Sequence, residues 1–242
     1  MKKISFNAAC FMLTALLLYG TSSCTSKSEN ASVQTTEQIA TGVAESDPDN
    51  PLVSLKMGND RFTSGKAQHI HQDIQKVKEL VEGQNPKAVI IGCSDSRVSP
   101  EILFDQGMGD LFVIRTAGNV MSDYELGSVE YAAEHLHTKL VVVLGHHGCG
   151  AIHAMLEHAN DDNAPGHIAS IVNCLKEEQE EQEALKSGKN LPVDAVMANV
   201  IHGVKQLRDC DPILEELYEK GEIQIVGAVY HLDSGKVEFL DI

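Results

Sequence analysis

Leu140-Val141-Val142-Val143-Leu144 runs straight into Gly145-His146-His147-Gly148-Cys149-Gly150, and the join between the two stretches decides the fold. Five consecutive aliphatic residues with no polar alternate make a strand buried on both faces, as inside a parallel sheet. The glycine-rich segment after it turns the chain out of the sheet and opens a helix to about Ala159. A second junction of this kind comes earlier. Ala88 to Gly92 is a short, β-branched-rich run that reads as another buried strand, and Cys93-Ser94-Asp95-Ser96-Arg97 follows it.

Outward from these junctions, strands and helices alternate. Leu55, Met57 and Arg61-Phe62 begin a helical region, and Ile74 to Val81 continues one after the break at Ser64-Gly65. Ser99-Pro100-Glu101 offers an N-cap, a proline at the first helical position and an acid beside it. Leu111 to Arg115 is a strand, and Ser122 with Glu125 makes a capping box for a helix through about His137. Gly166 to about Lys186, Val193 to Arg208 and Pro212 to Glu219 are expected as helices. The run Lys176-Glu177-Glu178-Gln179-Glu180-Glu181 reads as a solvated face. Ile223 to Tyr230 and Val237 to Leu240 are strands joined at Asp233-Ser234-Gly235. The pattern predicts an α/β fold: a mostly parallel sheet flanked by helices, with the final hairpin adding an antiparallel edge.

In such sheets ligands sit beyond the carboxyl ends of the strands, where Cys93 and His146 fall. Two thiolates and an imidazole, from Cys93, Cys149 and His146, supply three of the four ligands of a tetrahedral zinc ion, and the free position makes a zinc catalytic. The helix N-terminus behind Cys149 favours thiolate. Zinc with two thiolates is formally neutral and therefore a weaker Lewis acid than zinc on three imidazoles. Arg97 offers a compensating cation and can hold Asp95 bidentately. Asp95 then has two roles open to it: to orient zinc-bound hydroxide, or to occupy the fourth position and close the site. The other histidines, such as His69, His71, His153 and His158, read as surface or core residues, and His147 as a structural neighbour of the ligands.

At 242 residues, 43% of them hydrophobic, the chain is long enough for one well-buried domain. A formal charge of -16 argues against nucleic acid or an anionic membrane face as partner. Lys2 and Lys3 before an apolar run from Ala8 to Tyr19 have the layout of a secretory signal peptide over residues 1–23. Gly20-Thr21-Ser22-Ser23-Cys24 resembles a bacterial lipobox, with Thr21 where an aliphatic residue is usual, and makes Cys24 a candidate lipidation site. The expected location is therefore periplasmic, with membrane contact only through an N-terminal lipid. Residues 24–51 read as a polar, flexible tether spanning about 30 Å, and 52–242 as the folded domain. Cys10 leaves with the signal. Cys174 and Cys210 are left as free thiols or a bridge.

From about Leu52 to its end the chain resembles the β-class carbonic anhydrases: Cys93-Ser94-Asp95-Ser96-Arg97 and Gly145-His146-His147-Gly148-Cys149-Gly150 stand where that family has its two signature segments. The resemblance implies a four-stranded parallel sheet with a fifth, antiparallel strand, one Zn2+ per chain, a homodimer as the smallest unit, and reversible hydration of carbon dioxide to bicarbonate. Gly83-Gln84-Asn85-Pro86-Lys87 is similar to the plant-type branch, in which Gln84 would hydrogen-bond substrate. Phe112 and Tyr131 fall on that branch's pocket positions, some of them contributed by the neighbouring subunit, and Gly150 is a further binding position. Without the resemblance, Phe112, Tyr131 and Gln84 read as two core aromatics and a loop amide. A branch regulated by non-catalytic bicarbonate carries a tryptophan where this chain has Ile90, although Arg115 has a counterpart there. An open site with water on zinc near neutral pH is the resulting expectation.

The expected mechanism is attack of zinc-bound hydroxide on carbon dioxide, with Asp95 and Arg97 as catalytic residues. Two other readings stand beside it: hydrolysis of carbon disulfide or carbonyl sulfide on the same site, and a non-catalytic zinc or thiol protein.

Overall fold

A computed structural model of the chain describes residue 47 and residues 49–188 and 191–242. The signal segment 1–23, Cys24 and most of the tether 24–51 lie outside the described residues. Helix α1 (Pro51–Thr63) takes in the last residue assigned to the tether. Its start is set by Asn50, whose side-chain oxygen accepts from the N–H groups of Leu52 and Val53, and by Pro51, which has no N–H to leave unpaired.

The order continues α2 (Ile74–Glu79), β1 (Ala88–Cys93), α3 (Pro100–Leu103), β2 (Leu111–Thr116), a 3₁₀ turn (Ala117–Asn119), α4 (Asp123–His135) and β3 (Leu140–His146). It closes with α5 (Gly150–Glu157), α6 (Ile168–Glu177), α7 (Gln179–Ser187), α8 (Leu191–Arg208), α9 (Ile213–Glu219), β4 (Gln224–Tyr230) and β5 (Val237–Phe239). One sheet in the order β2-β1-β3-β4-β5 holds the domain; the first four strands are parallel and β5 is antiparallel to β4.

Every residue of β1 and β3 is buried, as their unbroken apolar runs require. Strand side chains alternate between faces. Val89, Ile91, Cys93, Val141 and Val143 therefore meet α4, α5 and α8 on one side, while Ala88, Ile90, Leu140, Val142 and Leu144 meet Leu55, Val98, Leu103 and Phe104 on the other. Each such side chain taken out of water is worth about 2 kcal/mol, so the two central strands carry much of the fold. Helix α8 presses closely on them: a Cβ at Gly145 would stand 2.5 Å from Val200 Cγ2, and one at Gly227 2.7 Å from Val200 Cγ1. The residue before His146 is thus small because a helix lies on it.

The capping box of α4 forms, with Glu125 accepting from both the Ser122 N–H (2.9 Å) and its hydroxyl (2.5 Å). Ser99 sits at the N-cap of α3 without a side-chain capping bond, and that helix is only four residues long.

The charged run departs from expectation. The helix expected over residues 166–186 breaks at Glu178, which has extended backbone (ψ 129°), and restarts as α7. The restart turns one face of the run inward against α8, so the run is not a solvated face. Glu178 is buried, Glu181 fully so, and both oxygens of Glu181 lack a hydrogen-bond partner. Burial pushes Glu178 up to about 9, with Glu181 and Glu180 adding to it, and burial alone pushes Glu181 up to about 8. Glu180 also feels burial, but hydrogen bonds from Lys205 (2.5 Å) and His202 (2.9 Å) outweigh it and hold that carboxylate down at about 2. Cys174 and Cys210 are free thiols, each half-buried.

Candidate metal centre

Because β1 and β3 are neighbours in the sheet, the residues at their carboxyl ends come together although far apart in sequence. Cys93 ends β1, His146 ends β3, and Cys149 is the N-cap of α5. The Sγ atoms of Cys93 and Cys149 are 4.0 Å apart, and one donor atom from each of Cys93, His146 and Cys149 lies within 4.8 Å of the other two. All three residues are buried. Two thiolates bound to one tetrahedral zinc at its usual bond length stand about 3.8 Å apart, so the cage has the size of the ion. His146 Nδ1 lies 3.0 Å from the His147 carbonyl, which leaves Nε2 as the outward lone pair; Nε2 is buried without a hydrogen-bond partner. A nitrogen orphaned beside two buried thiols is the arrangement a cation would satisfy, and the donor set fits zinc.

Asp95 reaches the rim of this cage, with Oδ2 3.9 Å from His146 Nε2. Arg97 grips it bidentately, Nε to Oδ1 at 2.9 Å and Nη2 to Oδ2 at 2.7 Å, while the Arg97 N–H also donates to Oδ1. These hydrogen bonds hold the Asp95 carboxyl far below the usual carboxylate range despite some burial. Arg97 also reaches the Gly148 carbonyl at 3.3 Å, which ties the two signature segments together. The thiols divide their proton unequally. A hydrogen bond from Cys149 holds Cys93 low against burial, helped by His146 and by the Gly118 N–H, while the same bond and burial push Cys149 up.

Two contributors were not singled out for these roles from sequence. Arg115 donates from Nε to the Cys93 carbonyl (3.0 Å) and from Nη2 to the Asp95 carbonyl (2.7 Å), bracing the backbone that carries ligand and carboxylate. The Gly118 N–H donates to Cys93 Sγ at 3.3 Å. The signal for Gly118 is positional: β2 pairs with β1 so that Thr116 lies beside Cys93, and any turn leaving β2 there must overhang the thiol.

The expected pocket residues fall elsewhere in the chain. Phe112 pairs with Val89, four residues before the Cys93–Thr116 pair, which places it about 13 Å down the sheet from the thiol. Tyr131 packs on Phe112 with ring centroids 6.3 Å apart, and is 47% exposed. Gln84 is exposed in the loop before β1. One chain therefore brings together Cys93, Asp95, Arg97, His146 and Cys149, but not Gln84, Phe112 and Tyr131. Gly150 opens α5 beside the cage, and apart from its own helix and chain neighbours no atom lies within 4 Å of where a Cβ would stand. Ile90 faces the opposite side of β1 from Cys93 and is fully buried. His147 packs its ring edge-on against His231 at 4.3 Å.

A family model described as Carbonic anhydrase matches residues 88–237. Carbonic anhydrase 2 of Mycobacterium tuberculosis is 40% identical over 196 residues, spanning 79% of this chain and 94% of its own length. A carbonic anhydrase of Pseudomonas aeruginosa is 37% identical over 180 residues, 69% of this chain and 79% of its own. Among solved structures, the β-carbonic anhydrase CcaA superposes with a TM-score of 0.61 at 27% identity, covering 76% of this chain and 92% of that one. One of two tetrameric β-carbonic anhydrases from Sordaria macrospora does so with a TM-score of 0.61 at 25% identity, covering 77% and 94%.

Proposed function

The chain belongs to the β-class carbonic anhydrases, and from that premise we propose that it catalyses reversible hydration of carbon dioxide to bicarbonate and a proton at a zinc ion held by Cys93, His146 and Cys149. The observation that carries the reading is the buried cage of two thiols and an unpartnered imidazole nitrogen, with an ionised carboxylate at its rim. When bound, zinc supplies the Lewis acidity that makes water a nucleophile near neutral pH.

The chain's own residues do the rest. Asp95, fixed by Arg97, accepts a hydrogen bond from the attacking oxygen and turns its lone pair toward the carbon of carbon dioxide. Because Arg97 hydrogen-bonds both Asp95 oxygens, it would keep the carboxylate off a metal held by Cys93, His146 and Cys149 and leave the fourth position free. Arg97 also offsets the negative charge that develops as bicarbonate forms. The proton lost in each cycle passes to buffer. Gln84, Phe112 and Tyr131 complete an apolar slot for a linear, uncharged substrate only when a second copy lends them across an interface, so a homodimer is the smallest active unit. We propose further that the signal-like segment 1–23 exports the enzyme to the periplasm and that Cys24 carries a lipid; labelled fatty acid should enter the wild type and not Cys24→Ala.

The test is stopped-flow carbon dioxide hydration by zinc-quantified protein from about pH 6.5 to 9. Turnover well above buffer, rising with pH and absent in Cys93→Ala, is the expected result. A protein with one zinc per chain and no turnover would refute the reading and send the search to carbon disulfide and carbonyl sulfide.

A further inference from the structure

The turn after β2 holds two successive left-handed residues, Gly118 (φ 71°) and Asn119 (φ 47°), both buried. Nothing intrinsic to a glycine fixes such a conformation, since glycine has the widest backbone freedom of any residue. The restraint comes from outside the turn. Asn199, 3% exposed on the apolar face of α8 between Val196 and Gly203, donates from Nδ2 to the Gly118 carbonyl at 2.9 Å and lies 3.3 Å from Asn119 Oδ1. On the other side of the same Cα, the Gly118 N–H points at Cys93 Sγ. The turn is also backed by α5: a Cβ at Gly118 would stand 2.8 Å from Ala151 Cβ, two residues past Cys149.

We infer that Asn199 is a positioning residue for the metal centre, pinning Gly118 so that its N–H hydrogen-bonds the Cys93 thiolate. The inference rests on the zinc reading above. An N–H directed at a thiolate draws electron density from sulfur and weakens its donation to a cation. In a site that two thiolates bring to formal neutrality, that withdrawal returns Lewis acidity to the metal. Helix α8 is well placed for the task. It lies on Gly145 beside His146 through Val196 and Val200, and it reaches the Cys93 side of the cage through Asn199.

The test compares full-length wild type, Asn199→Leu, Asn199→Ala and Val204→Ala, each loaded with zinc and, separately, with cobalt(II). Val204 is a buried residue of the same helix and has no hydrogen bond to the turn, so its truncation measures general loosening. In Asn199→Leu the sulfur-to-cobalt charge-transfer absorption should move to longer wavelength, because the thiolate lone pairs are no longer lowered by the N–H. Zinc should pass to a chelator about 10-fold faster, because a sulfur without the N–H is more basic and is more readily protonated off the metal, while Val204→Ala changes neither. If the leucine variant fails to fold, the alanine variant carries the same two readouts in the same direction. An unmoved band in metal-loaded Asn199 variants, or an equal shift in Val204→Ala, overturns the inference alone. Wild type that takes up neither metal overturns the zinc reading and the inference with it.

Discussion

The two ends of the β1–β2 strand pair are built on opposite principles. At the carboxyl end, where Cys93 lies beside Thr116, the chain engages its own polar groups: Arg97 holds Asp95, Arg115 holds two carbonyls, and Gly118 reaches the thiol. At the amino end, where Val89 lies beside Phe112, the side chains are left half finished. Phe112 is only partly buried, Tyr131 is 47% exposed, and among the described residues the outer edge of β2 carries no neighbouring strand. In the function proposed above, the ligand cage and the half-finished apolar wall are two parts of a site shared between two copies. On the proposed reading, the metal half belongs to the single chain and the substrate half to the assembly.

The largest effect should come from damaging each half in a different subunit. Cys93→Ala should lose zinc and all turnover above buffer, and Tyr131→Ala combined with Phe112→Ala should keep zinc and turn over poorly. Alone, the first variant should be inactive and the second nearly so. If the halves belong to different copies, co-folding the two variants should restore one intact site in each mixed dimer and bring back about a quarter of wild-type turnover. No recovery, despite mixed dimers seen by mass spectrometry, would place both halves in one subunit.

A smaller effect sharpens the metal half. Asp95→Asn and Arg97→Ala should retain zinc and lower kcat/KM by about 10²- to 10⁴-fold. In Arg97→Ala the freed carboxylate should swing onto the metal, readable as an added oxygen and a lost water by X-ray absorption. An unaltered coordination shell in that variant would show that Arg97 does not keep the site open.

The smallest effect should leave both halves alone. Glu178 and Glu181 hold protons up to about 9 and 8, far above an ordinary glutamate. Their folded-state values are raised, so the stability they contribute is complete below the unfolded value and drains away as pH climbs toward 8 to 9. Glu181→Gln should flatten that decline and be more stable at pH 8 by about 1–3 kcal/mol, with kinetics unchanged. A wild-type unfolding midpoint that is level between pH 5 and 9 would contradict the buried, protonated pair.

Much of this was legible in the chain. Unbroken runs at Ala88–Gly92 and Leu140–Leu144 announce central parallel strands, and the candidate ligands lie just past them. What was hidden has physical causes. The distance between Phe112 and Cys93 is set by the register of β1 on β2, a property of pairing and not of either strand. The break at Glu178 was masked because a run of acids reads as solvent-facing, and only its packing on α8 turns two of them inward. Asn199 left a faint trace, an amide in a stripe otherwise made of Ala195, Val196, Val200 and Gly203, but nothing in the sequence said which carbonyl it would meet.

The buried acids at the α6–α7 junction also make folding a chemical exchange with the solvent. Near pH 6.5 an unfolded chain carries Glu178 and Glu181 as carboxylates, whereas the folded chain holds both as acids. Those two residues alone therefore draw two protons from the buffer each time a domain folds and release them each time it opens. The heat of refolding should accordingly change with the ionisation enthalpy of the buffer, so that calorimetry in two buffers at one pH counts the protons directly.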